Sequence, residues 1–260
     1  MIPALLARYK LADGPLFERI KQQERLVSLP SFGVLRHHLG PVIFVALVCA
    51  FLQMDGYVTG TYFISFMRFA GIPLATIATV LMLSRVADIA GVFVSGPLAD
   101  RYQRKTATYV AVGVTTLLSG PFTLAILSRR IWLVVVLQLL VSFFGIGLLH
   151  GLAPILAAEN FPTKFRYSGA GISYGLAGIL GGMTGPSLLA GLIGEDVRRR
   201  WHFVPLLYGI YCVLAMVALL WMRETRDLSL NELDDAELSP GVSPGMSESV
   251  LEQFRRASTK

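Results

Sequence analysis

The sequence has 260 residues, of which 54% are hydrophobic and 15% are charged, and its formal net charge is +6. Soluble globular proteins contain about 25% charged residues, and the charges here avoid six long apolar segments. This composition excludes an ordinary soluble domain and indicates an integral membrane protein.

The six apolar segments predict six membrane-spanning helices. About 20 apolar residues cross the roughly 30 Å hydrocarbon core of a bilayer. Together the segments contain three charged residues, Asp55, Arg85 and Asp88. We predict an all-α integral membrane protein, a six-transmembrane-helix bundle over residues 41–222, with spans at 41–66, 74–97, 107–128, 131–155, 167–194 and 203–222.

The basic residues indicate the orientation of the spans. With alternating loops, sixteen Lys and Arg residues lie on the side of the N-terminus and six on the opposite side. Basic residues are enriched on the cytoplasmic side of membrane proteins, so both termini are predicted to be cytoplasmic. Residues 1–40 are predicted to form an amphipathic cytoplasmic segment, and residues 223–260 a disordered cytoplasmic tail. Because the basic residues lie at the ends of the spans, we interpret the net positive charge as a topology signal and as contacts with lipid headgroups, not as a nucleic-acid binding surface.

Short loops connect the spans, and short loops favour antiparallel packing of consecutive helices. The fifth span is rich in glycine and contains the pairs Gly171/Gly175 and Gly178/Gly182, a spacing that allows close helix approach. Tight packing is one interpretation of this span. The other is that the helix is broken at Gly185-Pro186 and bends there during transport, and both interpretations can hold together.

Polar side chains recur at helical spacing in the first and fourth spans. Asp55, Thr59 and Tyr62 share one face of the first span, and Gln138 and Ser142 share one face of the fourth. Because polar groups facing lipid are costly, both faces are predicted to point into the protein or toward water. For the four uncharged residues, interhelical hydrogen bonding is one interpretation and a substrate or proton path is the other.

Three ionisable residues lie deep within the spans. Arg85 and Asp88 are three residues apart on one helix and are predicted to neutralise each other. Asp55 has no partner within its own span, which leaves two interpretations: a proton-coupling or substrate-contacting carboxylate, or a salt bridge with Arg85 of the adjacent span. His150 is interpreted as a packing residue, with a proton relay as the alternative.

The residue types that form catalytic sites and metal sites are not clustered in this sequence. Cys49 and Cys212 fall within spans, and the four histidines lack the spacing of metal ligands. Neither a zinc-protease helix motif nor a serine-hydrolase elbow occurs. We therefore predict no metal site, no cofactor and no enzymatic activity.

A charged motif lies between the second and third spans. It reads Gly96-Pro97-Leu98-Ala99-Asp100-Arg101-Tyr102-Gln103-Arg104-Lys105, which places one carboxylate among three bases at a membrane face. Charge alone favours a solvated loop. The order of the residues in this motif, however, resembles the signature of the major facilitator superfamily, with Gln103 where that family usually has glycine.

A second motif resembles the metabolite:proton symporter family, the group containing shikimate, 2-oxoglutarate, citrate and proline/betaine transporters. The stretch from Glu159 to Tyr174 is similar to that family's junction between spans ten and eleven, above all in Arg166-Tyr167-Ser168-Gly169-Ala170-Gly171. Residues 11–17 resemble its central loop, and residues 223–226 resemble the end of its last span. The resemblance corresponds to the second half of a twelve-helix major facilitator fold.

The resemblance implies a secondary transporter that moves a small polar metabolite, such as an organic acid or betaine, with protons across a bacterial cytoplasmic membrane by alternating access. It makes the first and fourth spans the cavity walls. With the spacing above, it assigns the substrate or proton path to Asp55, Thr59, Tyr62, Arg85, Asp88, Gln138 and Ser142. It assigns a cytoplasmic gate to Gly96, Asp100, Arg101, Arg104, Lys105, Glu159 and Arg166.

The expected partners are the small-molecule substrate, protons, the lipid bilayer and either a missing N-terminal six-helix half or a second copy of the chain. Two alternative functions remain open. A sugar porter of the same superfamily has similar junction motifs, and a non-transporting remnant or interaction protein would also have six spans.

Overall fold

The structure, a computed structural model, describes residues 30–163 and 165–222. Residues 30–161 and 165–222 belong to one compact helical unit, whereas Pro162 and Thr163 belong to a second unit whose other residues lie outside the described part of the chain. Most of the predicted segment 1–40 and the predicted tail 223–260 also lie outside the described residues.

Within these residues the chain forms a short helix α1 (Pro30–His37), six long helices and a one-turn helix α7 (Val197–Arg200). Each long helix is long and apolar enough to cross a membrane. This confirms the predicted all-α bundle of six spans. The spans are α2 (Leu39–Phe69), α3 (Leu74–Arg101), α4 (Arg104–Leu127), α5 (Ile131–Glu159), α6 (Arg166–Ile193) and α8 (Phe203–Trp221).

The charged motif between the second and third spans is mostly helical. α3 continues to Arg101 and α4 begins at Arg104, so the predicted loop is reduced to two residues. The loop prediction was wrong because Pro97 lies inside α3 without ending it, at the loss of one backbone hydrogen bond. Gln103 has φ −61° and ψ 137°, angles that any residue adopts, so the connection does not require glycine there.

The first two spans pack against helices that are distant in sequence. α2 is the most buried span and packs most extensively on α6 and α8, whereas α3 packs on α5. The expected packing of consecutive spans holds for α4 and α5, but it was wrong for α2 and α3. Small residues explain this choice, since a Cβ on Gly181 of α6 would collide with the Ala50 carbonyl oxygen of α2.

Three spans contain π-helical segments, in which the winding is wider than in an α-helix. They lie at Val58–Tyr62 in α2, Ser142–Leu148 in α5 and Gly178–Met183 in α6. Such segments frequently occur at functional sites. The predicted break at Gly185-Pro186 was wrong, because the span continues as α-helix over Thr184–Ile193. The proline, which has no N–H, lies three residues after the π-helical segment, where the regular hydrogen-bond pattern of the helix is already interrupted.

The contact between α3 and α5 leads to a test of the packing. A Cβ on Gly91 would lie 2.5 Å from the Phe143 carbonyl oxygen and 2.8 Å from the Gly147 Cα, whereas one on Gly96 of the same helix would meet nothing within 4 Å. We expect Gly91→Ala to lower the free energy of unfolding in detergent by about 1–3 kcal/mol, as overpacked substitutions do. Gly96→Ala is the matched control, and equal stability of the two variants would contradict this packing.

Candidate functional site

A fully buried carboxyl group lies at the centre of the bundle. The Asp55 side chain has no exposed surface, and the Tyr208 hydroxyl of α8 donates a hydrogen bond of 2.7 Å to its Oδ1. The Thr59 hydroxyl contacts the same oxygen at 3.5 Å. Oδ2 has no hydrogen-bond partner among the described protein groups. One oxygen of Asp55 is thus held in place, and the other is left to bind a proton or another group.

Small residues make room for the second oxygen of Asp55. A Cβ added to Gly145 of α5 would collide with Asp55 Oδ2 and would lie 2.8 Å from the Thr115 methyl group of α4. Gly145 lies within the π-helical segment of α5, and Asp55 is three residues before the π-helical segment of α2. The carboxyl group is therefore enclosed by α4, α5 and α8, next to two points of irregular winding.

The predicted pair of Arg85 and Asp88 is confirmed. Arg85 Nη1 lies 2.8 Å from Asp88 Oδ2, with the arginine side chain 50% exposed and the aspartate side chain 12% exposed. Within the described part of the chain, no ion pair joins Arg85 to Asp55, so the proposed bridge between adjacent spans was wrong. The physical reason is that Arg85 points to the surface of the bundle, whereas Asp55 points to its interior.

The polar face of the fourth span is only partly satisfied within its own helix. The Gln138 side-chain amide donates to the Ser142 hydroxyl at 3.1 Å, and both residues are fully buried. Ser142 and His150 lie close enough to Asp88 to interact with it electrostatically. His150 is exposed, and its Nδ1 lies 3.0 Å from the Ile146 carbonyl oxygen, so it is not a core packing residue.

Four buried polar atoms of the predicted path lack a hydrogen-bond partner among the described protein groups. Most buried polar atoms in proteins are paired, so each of these atoms is a candidate position at which a proton or a polar ligand could bind. Of the four uncharged residues considered for interhelical hydrogen bonding, Thr59 and Ser142 interact with polar groups of other helices, Tyr208 and Asp88 respectively, whereas Tyr62 Oη and Gln138 Oε1 have no partner among the described protein groups. The four atoms are Asp55 Oδ2, Tyr62 Oη, Asp88 Oδ1 and Gln138 Oε1.

The sequence did not single out the residues that complete this site. Tyr208 supplies the interhelical hydrogen bond to Asp55, but a tyrosine in an apolar span counts as hydrophobic. A second polar face of α2 was also missed, although the helical spacing of Gln53, Tyr57 and Thr61 could have revealed it. Gln53 is half-buried, while Tyr57 and Thr61 are exposed, so this face lies on the surface of the bundle.

The predicted gate residues are only partly brought together. An ion pair joins Arg104 at the start of α4 to Glu159 at the end of α5. The Arg166 Nε donates to the Ala158 carbonyl oxygen at 2.8 Å. Asp100 and Arg101 are exposed, at the same end of the bundle as the ion pair, and Asp100 has no hydrogen bond or ion pair within the described residues.

Metal coordination finds no support in the described residues. They contain no group of three or more His, Cys, Asp or Glu side chains placed to hold a metal ion. Cys49 and Cys212 are buried and free.

Six apolar helices around a buried polar centre define a polytopic membrane protein. The family profile "Major Facilitator Superfamily" matches residues 2–186 and 45–258. The chain therefore belongs to the Major Facilitator Superfamily, whose members are transporters and not enzymes.

Curated relatives align with most of this chain. The inner membrane metabolite transport protein YhjE of Escherichia coli is 28% identical over 235 residues, covering 88% of this chain and 53% of the relative. The ectoine/proline transporter ProP of Corynebacterium glutamicum is 27% identical, covering 86% of this chain and 46% of the relative. The shikimate transporter of E. coli is 26% identical, covering 50% and 29%.

The chain spans about half the length of the first two of these relatives. No solved structure matches the chain significantly. The comparisons thus establish membership of the superfamily and a match to about half the length of these two metabolite transporters.

The hydrogen bond between Tyr208 and Asp55 can be tested by a double-mutant cycle. Removing either partner leaves a buried polar group unsatisfied, so we expect Tyr208→Phe and Asp55→Leu to be coupled by about 1–3 kcal/mol in the free energy of unfolding. The control replaces Tyr208→Phe with Tyr211→Phe, because the Tyr211 hydroxyl donates to the Leu180 carbonyl instead. Additive effects in the first cycle would contradict the contact.

Proposed function

We propose that this chain forms one six-helix unit of a secondary transporter that moves a small polar metabolite together with protons by alternating access. Membership of the superfamily supports transport. The half-length match to the relatives supports a second six-helix unit, either a separate N-terminal half or another copy of this chain. Two bundles around one site are what alternating access requires.

The substrate is proposed to carry a carboxylate group. The relatives include an ectoine/proline transporter and a shikimate transporter, and all three of these compounds are small polar molecules with a carboxylate. This class agrees with the organic acids and betaines expected from the sequence motifs.

Asp55 is the observation that carries the proposal of proton coupling. It lies sixteen residues into α2, about 24 Å from the start of that helix at 1.5 Å per residue, and is therefore near the middle of the membrane. An ionisable group at this depth is by default a functional candidate. Tyr208 holds Oδ1, so Oδ2 is the proposed site at which the proton binds and leaves.

The surroundings of Asp55 suggest how its protonation is coupled to conformation. The carboxyl group contacts α8 through Tyr208 and faces α5 at Gly145. Packing around a buried polar group depends on its charge, because an unpaired charge in a dry interior is costly. We propose that loss or gain of the proton shifts α5 and α8 against α2, with the π-helical segments absorbing the bend.

The charged end of the bundle is proposed as the cytoplasmic gate. Arg104 and Glu159 tie α4 to α5 there, and Arg166 holds the start of α6 against the end of α5 through the Ala158 carbonyl. Asp100 and Arg101 remain exposed beside them. They are proposed to contact the second six-helix unit when the cytoplasmic side of the transporter is closed, with Gly96 and Lys105 flanking them in the motif.

Replacing the central carboxyl group tests the proton coupling. In proteoliposomes that contain this chain and the unit that completes it, we expect Asp55→Asn to abolish uptake of labelled substrate driven by a pH gradient. Exchange of internal for external substrate should persist, because it needs no net proton movement. Shikimate and L-proline are the first substrates to use.

The control for this experiment is Asp196→Asn, which removes an exposed carboxylate from the connection between α6 and α7. Its uptake should equal that of the parent. Full pH-driven accumulation by Asp55→Asn would exclude the coupling role.

The orientation is proposed as both termini cytoplasmic in the cytoplasmic membrane, on the basis of the asymmetry in basic residues. Cysteines introduced by Glu195→Cys and by Ser243→Cys should be labelled by a membrane-impermeant thiol reagent from opposite sides. In intact cells only the first should react, and in inside-out vesicles only the second. Labelling of both from the same side would refute this topology.

A further inference from the structure

A groove on the surface of the bundle lies beside the exposed polar face of α2. It has a volume of about 300 Å³ and is lined by Gly60 of α2 and by Leu81, Met82 and Arg85 of α3. A Cβ on Gly60 would meet nothing within 4 Å, so the π-helical segment of α2 leaves this space open. The volume lies at the lower end of the range found for small-molecule sites.

Arg85 places a charged group in this groove near the middle of the membrane. It is eleven residues from the start of α3 and sixteen from its end, or about 16 Å and about 24 Å at 1.5 Å per residue. Its side chain is 50% exposed at the surface of the bundle. A guanidinium at this depth does not face lipid tails, and lipid phosphates lie too far away, so the groove opens toward water or a polar occupant.

The contact with Asp88 fixes the orientation of the Arg85 guanidinium group and leaves some of its N–H donors without an acceptor in the described part of the chain. Asp88 contacts Nη1, and Asp88 is itself backed by Ser142 and His150 of α5. A guanidinium has five N–H donors, and Arg85 makes no other hydrogen bond within the described part of the chain. Its remaining donors form a fork that matches the two oxygens of a carboxylate.

The exposed face of α2 continues the polar surface beyond the groove. Gln53, Tyr57 and Thr61 follow one another along this face, at intervals of four residues, with Gly60 beside them. On the other side α6 closes this face, since a Cβ on Gly182 would lie 2.9 Å from the Tyr57 ring. The Thr61 hydroxyl donates to the Tyr57 carbonyl oxygen, so the Tyr57 hydroxyl and the Gln53 amide are the groups placed to bind the uncharged polar groups of a small molecule.

We propose that this groove is the carboxylate subsite of the substrate site, with Arg85 as the anchor and the face Gln53, Tyr57 and Thr61 as the wall that contacts the rest of the substrate. The proposal rests on the proposed function, because it assumes a transported substrate. Asp88 is the positioning residue that holds Arg85. The proton site at Asp55 and the substrate site are thus separate, one inside the bundle and one on its surface.

The charge of the groove can be measured with thiol reagents on the full chain purified in a neutral detergent. Gly60→Cys is introduced after Cys49→Ala and Cys212→Ala, and the rates of reaction with a sulfonate and with a trimethylammonium methanethiosulfonate are compared. We expect Arg85→Gln to lower the ratio of the anionic to the cationic rate about fivefold, as loss of a nearby unit charge does. Arg68→Gln, near the end of α2, is the matched control and should leave the ratio unchanged.

Competition identifies the ligand. Shikimate and L-proline at millimolar concentration should slow the reaction of the introduced thiol in the parent, whereas the methyl esters of both should not. Arg85→Gln should abolish this protection. Because that change leaves Asp88 without its partner, Arg85→Gln with Asp88→Asn is measured alongside, and its thermal stability shows that the neutral pair still folds.

Two results would overturn the proposal. An unchanged rate ratio in Arg85→Gln and in the double variant would show that Arg85 does not act in the groove. A changed ratio without protection by either carboxylate, both in this chain alone and in a preparation that also contains the second six-helix unit, would show that the groove is charged but does not bind the substrate carboxylate. Labelling requires neither transport nor proton movement, so its failure is distinguishable from failure of the Asp55 experiment.

Discussion

A carboxyl group without exposed surface in the middle of a membrane bundle constrains every helix around it. Asp55 is tolerated there because Tyr208 donates to one of its oxygens and because Gly145 leaves space for the other. These contacts come from three different spans, so the position of α2 relative to α5 and α8 depends on them. Burial of such a group is costly unless its partners are in place, which is why this centre is the proposed point at which protonation changes helix packing.

Irregular helices and glycines let the bundle respond at this depth. The π-helical segments of α2 and α5 lie next to Asp55, and α3 meets α5 backbone to backbone at Gly91 and Gly147. Through that contact the pair Arg85 and Asp88 is attached to the same segment of α5 that faces Asp55. The proposed proton site in the interior and the charged groove on the surface are therefore connected through one helix.

Sequence reasoning succeeded where the signal is local. Apolar length determines the spans, and a separation of three residues brings Arg85 to Asp88 within one helix, so both predictions are confirmed. It failed where the outcome depends on which helices become neighbours. One of the two interpretations of Asp55 gave it a partner on the next span in sequence, but α2 packs on α6 and α8, and the hydrogen-bond partner of Asp55 is Tyr208. The exposed face at Gln53, Tyr57 and Thr61 was not predicted, because the helix has two polar faces and their spacing alone does not show which of them lies at the surface of the bundle.

Infrared difference spectroscopy of the purified full chain after a pH jump tests most directly whether Asp55 exchanges protons with water. We expect a carboxyl band that changes with pH in the parent and is absent in Asp55→Asn. In Tyr208→Phe the same band should shift in frequency, because Oδ1 loses its hydrogen bond from the tyrosine. If the parent and Asp55→Asn give identical carboxyl bands, Asp55 does not exchange protons, and it cannot be the group that couples proton movement to transport.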